Sequence, residues 1–169
     1  MERRYRERAA SYFDDILLDI RVVPEEESVR TLGDAESRGI ISGRERTDLR
    51  EADLVVRGRL WDGTTVHLLA EISATVDLED VERASRRAKL LERIVGMRVI
   101  AAVAGERIRS EVRREASTQK VWCVVDRRAY PLFPILPLGE AQQQPERRGH
   151  VELQEVGLEE GHEQECRNR

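Results

Sequence analysis

The chain reads as an α/β protein built on a mixed central sheet with helices packed on it. Three features predict this: two apolar runs of β pattern that flank Trp61-Asp62-Gly63, an amphipathic stretch that opens at Asp77, and an apolar run from Val99 to Ala104. Asp-Gly between two such runs signals an antiparallel hairpin. A strand, a helix and a strand in succession imply a right-handed crossover that sets the second run of the hairpin parallel to Val99–Ala104. With 169 residues and 40% hydrophobic content, the chain suits one modest domain with a real core.

Taken in order, Tyr5, Ala9, Tyr12, Phe13, Ile16, Leu17 and Ile20 recur at helical spacing and predict an amphipathic helix from Glu2 to about Ile20. Val22-Val23-Pro24 ends it. Ser28 to Gly39 reads as a shorter helix, and Ser42-Gly43-Arg44-Glu45 has the form of a capping box that opens a third. After the hairpin, Asp77 caps a helix to about Val95, with Val81, Ala84, Ala88, Leu91 and Val95 on its buried side. Val99 to Ala104 is a strand, Gly105 a turn, Arg107 to Gln119 a helix, and Val121 to Val125 a short strand. From Arg127 periodicity is lost. Pro131, Pro134 and Pro137 mark an extended segment, and the Gln-, Glu-, Arg- and Gly-rich remainder is expected to be disordered. The expected organisation is a helical region over 1–50, an α/β core over 51–126, and a Pro-containing extension with an acidic tail over 127–169.

The hairpin carries acids where acids are costly. Asp53 stands at the start of Ala52–Leu60 and Glu71 near the end of Val66–Ser73, and a buried carboxylate needs a partner or a metal. Register decides whether the two meet. A two-residue Asp62-Gly63 turn pairs Leu54 with Glu71 and puts the acids on opposite faces. A three-residue Trp61-Asp62-Gly63 loop, with Gly63 left-handed, pairs Asp53 with Glu71. The three-residue register collects Leu54, Val56, Leu60, Val66, Leu68, Ala70 and Ile72 on one face. Asp53, Arg57, His67, Glu71 and Ser73, with Glu51, fall on the other. Adjacent carboxylates repel, and a hard divalent cation such as Mg²⁺ relieves them. The structural alternative is a solvated or capping Asp53 and a Glu71 paired with an arginine.

Composition narrows the remaining classes. The 33 acidic and 29 basic residues divide unevenly: Gly139 to Arg169 holds eight acidic and four basic, which leaves 25 of each in the body. A neutral body argues against polyanion binding by bulk charge, and aromatic residues at 4% do not advertise stacking on bases. Cys123 lies in an apolar run and Cys166 in the polar tail, so neither a disulfide framework nor a zinc site is indicated. The opening Met1-Glu2-Arg3-Arg4 does not read as a signal peptide, and no apolar run is long enough to span a bilayer. A reducing cytoplasm is the expected location, with no membrane partner. His67 reads as a partly exposed strand residue, and His150 and His162 are isolated in the tail.

The order of these elements, with Asp53-Leu54-Val55-Val56, then Glu71-Ile72-Ser73, then Asp80-Val81-Glu82-Arg83-Ala84, resembles the core of the PD-(D/E)xK nuclease superfamily. It is similar to an uncharacterised bacterial branch with Glu-x-Ser in place of Glu-x-Lys. The likeness covers roughly Met1 to Val125 and implies a restriction-endonuclease-like fold. It also implies a catalytic set of Asp53, Glu71 and Ser73. Asp53, Glu71 and the Ile72 carbonyl would hold Mg²⁺, or Mn²⁺, and activate a water against a DNA phosphodiester. Ser73 departs from the pattern, because a hydroxyl cannot replace an ammonium group. Lys89, Arg86 and Arg87 on the following helix, and Arg57 on the hairpin, are the cations that could stand in. Two functions follow: a divalent-metal-dependent nuclease acting on DNA, or an inactive nuclease-fold module for dimerisation or scaffolding. Under both, the Arg-rich first helix is expected to mediate self-association.

Overall fold

The apolar run at Val99 has no polar face because both of its faces are covered, as is usual for strands in the parallel part of a sheet. In the computed structural model, which describes residues 2–126 and 128–130, six strands form one sheet in the order β1-β2-β3-β4-β5-β6. They are β1 (Leu18–Val22), β2 (Leu54–Arg59), β3 (Thr65–Val76), β4 (Val99–Ile108), β5 (Trp122–Val125) and β6 (Arg128–Tyr130). The pairs β3/β4 and β4/β5 are parallel, and the outer pairs are antiparallel. The described residues belong to one compact unit. Among them, no helix is long and apolar enough to cross a membrane.

Each face of the sheet has its own core. Leu69, Val99, Ala101, Val103 and Cys123 pack under helices α3 (Glu25–Ser37), α4 (Gly43–Arg50), α5 (Leu78–Val95) and α6 (Ser110–Thr118). The opposite face, with Leu54, Val56, Val66, Leu68, Ala70, Ile100 and Ala102, packs against the N-terminal segment. Alternation along β4 sends odd residues to one core and even residues to the other.

The N-terminal segment departs from expectation. A single helix to Ile20 is replaced by α1 (Glu2–Glu7), α2 (Ala9–Phe13) and edge strand β1, so the first fifty residues supply a strand to the sheet as well as helices. The apolar spacing is ambiguous here, since Leu18, Ile20 and Val22 also satisfy a two-residue period. The open edge of β2 decides for the strand. Tyr5, Ala9, Tyr12, Phe13, Ile16 and Leu17 are all buried, and the Tyr5 and Tyr12 rings stack at 4.0 Å. The stripe expected to seek a second copy is thus covered by the chain's own sheet.

Local signals place the other elements. Helix α3 starts at Glu25, earlier than Ser28, because Pro24 is extended and Glu25, Glu26 and Glu27 complement the helix N-terminus. Ser42 and Glu45 close the capping box of α4, and the Ser42 amide, with Arg93 and the Ser42 hydroxyl, pulls the pKa of the Glu45 carboxyl down to about 2. Asp77 and Asp80 cap α5 reciprocally at 3.0 Å each, and left-handed Gly96 ends it. Strand β4 runs past Ala104, so Gly105 is a strand residue opposite Ser73 and Val125 and not a turn; α6 accordingly starts at Ser110. A further strand, β6, occupies a stretch expected to be irregular, with Arg113 stacked 5.1 Å from the Tyr130 ring centre. The three prolines, Cys166, His150, His162 and the acidic tail lie outside the described residues.

Candidate functional site

The hairpin adopts the three-residue loop. Arg59 pairs with Thr65 and Leu54 with Ala70, so Asp53 stands opposite Glu71 one step further along the ladder. Gly63 has φ +86°, and its N–H donates to the Leu60 carbonyl. Asp53 is half-buried, and its Oδ2 accepts from the Ile72 N–H at 2.6 Å. Glu71 is only 2% exposed. The two carboxylates share the sheet face beneath α5, as the hydrophobic pattern requires.

What neutralises Glu71 is Arg87. Residues 84, 87, 88 and 91 of α5 follow the spacing i, i+3, i+4, i+7, so Arg87 sits within the buried stripe beside Ala84, Ala88 and Leu91. It is 3% exposed, and its Nη1 donates to both carboxylate oxygens of Glu71 at 3.0 and 2.9 Å. The same guanidinium reaches the Glu51 carbonyl at 3.0 Å, the Glu51 carboxylate at 3.1 Å and Asp48 at 3.0 Å. Burial works against the charge of Arg87, but Glu71 and Asp48 outweigh it and push its pKa up.

A second layer of arginines surrounds this pair. Arg86 forks onto Asp48 with two bonds of 3.0 Å and holds its carboxyl below the usual range against the opposing effect of burial. Arg83 lies 3.5 Å from Glu71 and bonds Asp80, itself buried, and Glu79. Helix α4 and helix α5 are therefore tied together over the end of the hairpin by a continuous ionic network.

The other candidates divide cleanly. The Ile72 side chain enters the opposite core, while its backbone N–H faces Asp53. In an extended strand the N–H and C=O of one residue point the same way, which turns the Ile72 carbonyl toward the same edge. Ser73 is partly exposed and Lys89 exposed. Arg57 is not at this site: it pairs with His67 across the hairpin and bonds Glu27 at 2.8 Å. Arg83 and Asp48 were not singled out from the sequence, and only their spacing from Arg87 and from the α4 capping box hinted at them.

A divalent ion does not suit this donor set as it stands. Both oxygens of Glu71 are engaged by Arg87, and an oxygen of Asp53 is engaged by the Ile72 amide. Among the described residues, no group of three or more His, Cys, Asp or Glu side chains is arranged to hold a metal ion. A guanidinium already supplies the positive charge that two facing carboxylates require.

His67 also departs from expectation. It is 4% exposed, because α3 and α5 cover the middle of β3, and burial, reinforced by Arg57, pushes its pKa below 6.5. As pH falls below 6.5 the unfolded chain takes a proton that folded His67 refuses, so stability falls toward acid, by at most about 1.4 kcal/mol per pH unit. Urea midpoints at pH 7.5 and pH 5 are expected to drop further for the wild type than for His67→Phe. Equal drops would exclude a neutral buried imidazole. Comparison with protein-family models, curated proteins and solved structures finds no match for this chain.

Proposed function

We propose that this chain is a restriction-endonuclease-like module in which the Asp53–Glu71 site is structural, a catalytically inactive module for protein scaffolding. One observation carries this reading: Arg87 Nη1 occupies both carboxylate oxygens of Glu71 from inside the core. Arg87 supplies the positive charge at Glu71, although burial still outweighs it and pushes the Glu71 carboxyl above its usual range; the pairing supports a structural role for this carboxylate. Ser73 supports the same reading, since a hydroxyl at that position supplies no cation to a phosphate.

Calorimetric titration of the wild type and Asp53→Ala with Mg²⁺ and Mn²⁺ tests this proposal, followed by incubation with plasmid, single-stranded and branched DNA. The expected result is no saturable heat and no cleavage. Metal binding and cleavage that are both lost in Asp53→Ala would overturn it in favour of a second reading, a metal-dependent nuclease in which Arg87 yields its place. That reading is favoured by the convergence of Asp53, Glu71 and the Ile72 backbone at one end of the hairpin.

A further inference from the structure

A groove of about 380 Å³ opens between α1, α3, α4 and the start of β2. Its floor is apolar: Leu32 and Leu49 are buried there, Val23 and Val55 are half-buried, and Val29 is 46% exposed. Arg3, Arg6 and Arg50 line the same groove, against one acid, Glu25. Arg3 and Arg6 stand three residues apart on α1, and Arg50 comes from the last turn of α4, so the cations are brought by two separate elements while Glu25 belongs to α3. The fold does not consume these charges. Arg3 bonds Glu7 in an exposed pair four residues apart, which holds weakly. Among the described residues, the side chains of Arg6 and Arg50 have no ion pair or hydrogen bond. Their neighbours behave differently: Arg46, Arg57, Arg86 and Arg93 each meet a carboxylate.

We infer that this groove docks an acidic segment of a partner protein, with leucine- or valine-sized side chains on the apolar floor and glutamate or aspartate carboxylates at the arginines. Charge complementarity sets the sign of the partner. A single carboxylate answers only one of the two arginine-bearing elements, whereas a chain with several answers both, and Arg recognises carboxylates with directed hydrogen bonds. The floor argues for a peptide over a nucleic acid. No aromatic side chain lines the groove to stack on a base, and a sugar-phosphate backbone would leave the valine and leucine surface uncovered. The inference gives the scaffolding reading a partner, yet it uses none of Asp53, Glu71 and Arg87. Metal binding at those acids would overturn that reading and leave this one standing.

The test is NMR titration of the full chain, labelled with ¹⁵N-arginine and methyl-¹³C valine and leucine, against the peptide Leu-Glu-Glu-Leu-Glu-Glu-Leu blocked at both ends. The Val29, Leu32 and Val55 methyl signals are expected to shift together with the Arg6 and Arg50 Nε–H signals and to saturate. Versions of the peptide with lysine for glutamate, or serine for leucine, are expected to leave them in place. The double variant Arg6→Glu with Arg50→Glu, changed only at exposed positions, is expected to bind the acidic peptide about tenfold or more weakly. Added salt is expected to weaken the wild-type complex, which checks the charge contribution without any substitution. No shift at millimolar acidic peptide, equal affinity of wild type and double variant, or salt-independent binding would overturn the inference. An oligothymidylate that moves the same signals at lower concentration would overturn it in favour of nucleic acid, and signals that move with protein concentration alone in favour of a second copy of this chain.

Discussion

Replacing Arg87 with Met is expected to lower the unfolding free energy by about 3–5 kcal/mol, the usual cost of leaving a buried charge without its partner. Glu71, 2% exposed, would lose the guanidinium that, among the described residues, touches both of its oxygens. Arg83 already touches one Glu71 oxygen at 3.5 Å but also bonds Asp80 and Glu79, so it replaces only part of what Arg87 supplies. Asp48 would keep Arg86, so the loss is concentrated on Glu71. The sign with pH follows. Burial already holds the Glu71 carboxyl above its usual range against the pull of Arg87, and removing Arg87 raises it further, so acid protonates it in the folded variant and removes part of the cost. The deficit relative to wild type should therefore shrink as pH falls. Adding Glu71→Met removes the stranded charge altogether and should recover most of the loss, since apolar replacements of buried pairs are often neutral or better. Urea unfolding of the three proteins checks this. A loss below about 1 kcal/mol in Arg87→Met would mean that Glu71 does not depend on Arg87.

Gly105→Ala is expected to cost about 3 kcal/mol or more, at the upper end of overpacking effects. A Cβ on Gly105 would lie 2.3 Å from the Ser73 carbonyl oxygen and 2.9 Å from Val76 Cγ2. The first neighbour is backbone, and it can retreat only by opening the parallel β3/β4 ladder where Ser73 faces Gly105. Gly105 is itself buried, paired with Ser73 on one side and Val125 on the other, so the added methyl strains the ladder. Gly33→Ala in α3 is the control. Nothing lies within 4 Å of its Cβ, and helix propensity should make the change stabilising by about 0.5–1 kcal/mol. Thermal melts of the two variants should move in opposite directions. A Gly105→Ala melt equal to wild type would show that β3 and β4 do not approach as closely as described.

The two strongest local signals, the hairpin and the cap at Asp77, translated directly into structure. A three-residue loop with a left-handed glycine and a two-residue side-chain period together leave one register, and that register put Asp53 opposite Glu71. Asp77 with Asp80, and the stripe of Val81, Ala84, Ala88 and Leu91, likewise specified α5 from its own residues. Where two periods competed, the sequence was ambiguous. Ile16 to Val22 satisfies both helix and strand spacing, and the open edge of β2 settled it. His67 looked half-exposed because a polar residue on an alternating strand normally faces water, whereas α3 and α5 close over that face.

Residue patterns alone establish an α/β chain with a hairpin, a capped amphipathic helix and a parallel return strand, and they bring two acids to one place. They do not establish what those acids do. A carboxylate at a strand end is equally compatible with a metal, a solvated surface or an ion pair, and the choice depends on a side chain 16 positions away on another element. Packing supplies an ion pair: α5 crosses the sheet with Arg87 turned inward, in the same stripe as its apolar residues. At the end of the hairpin the protein's own cation meets the buried Glu71, because a buried acid draws on whatever positive charge the fold brings within reach.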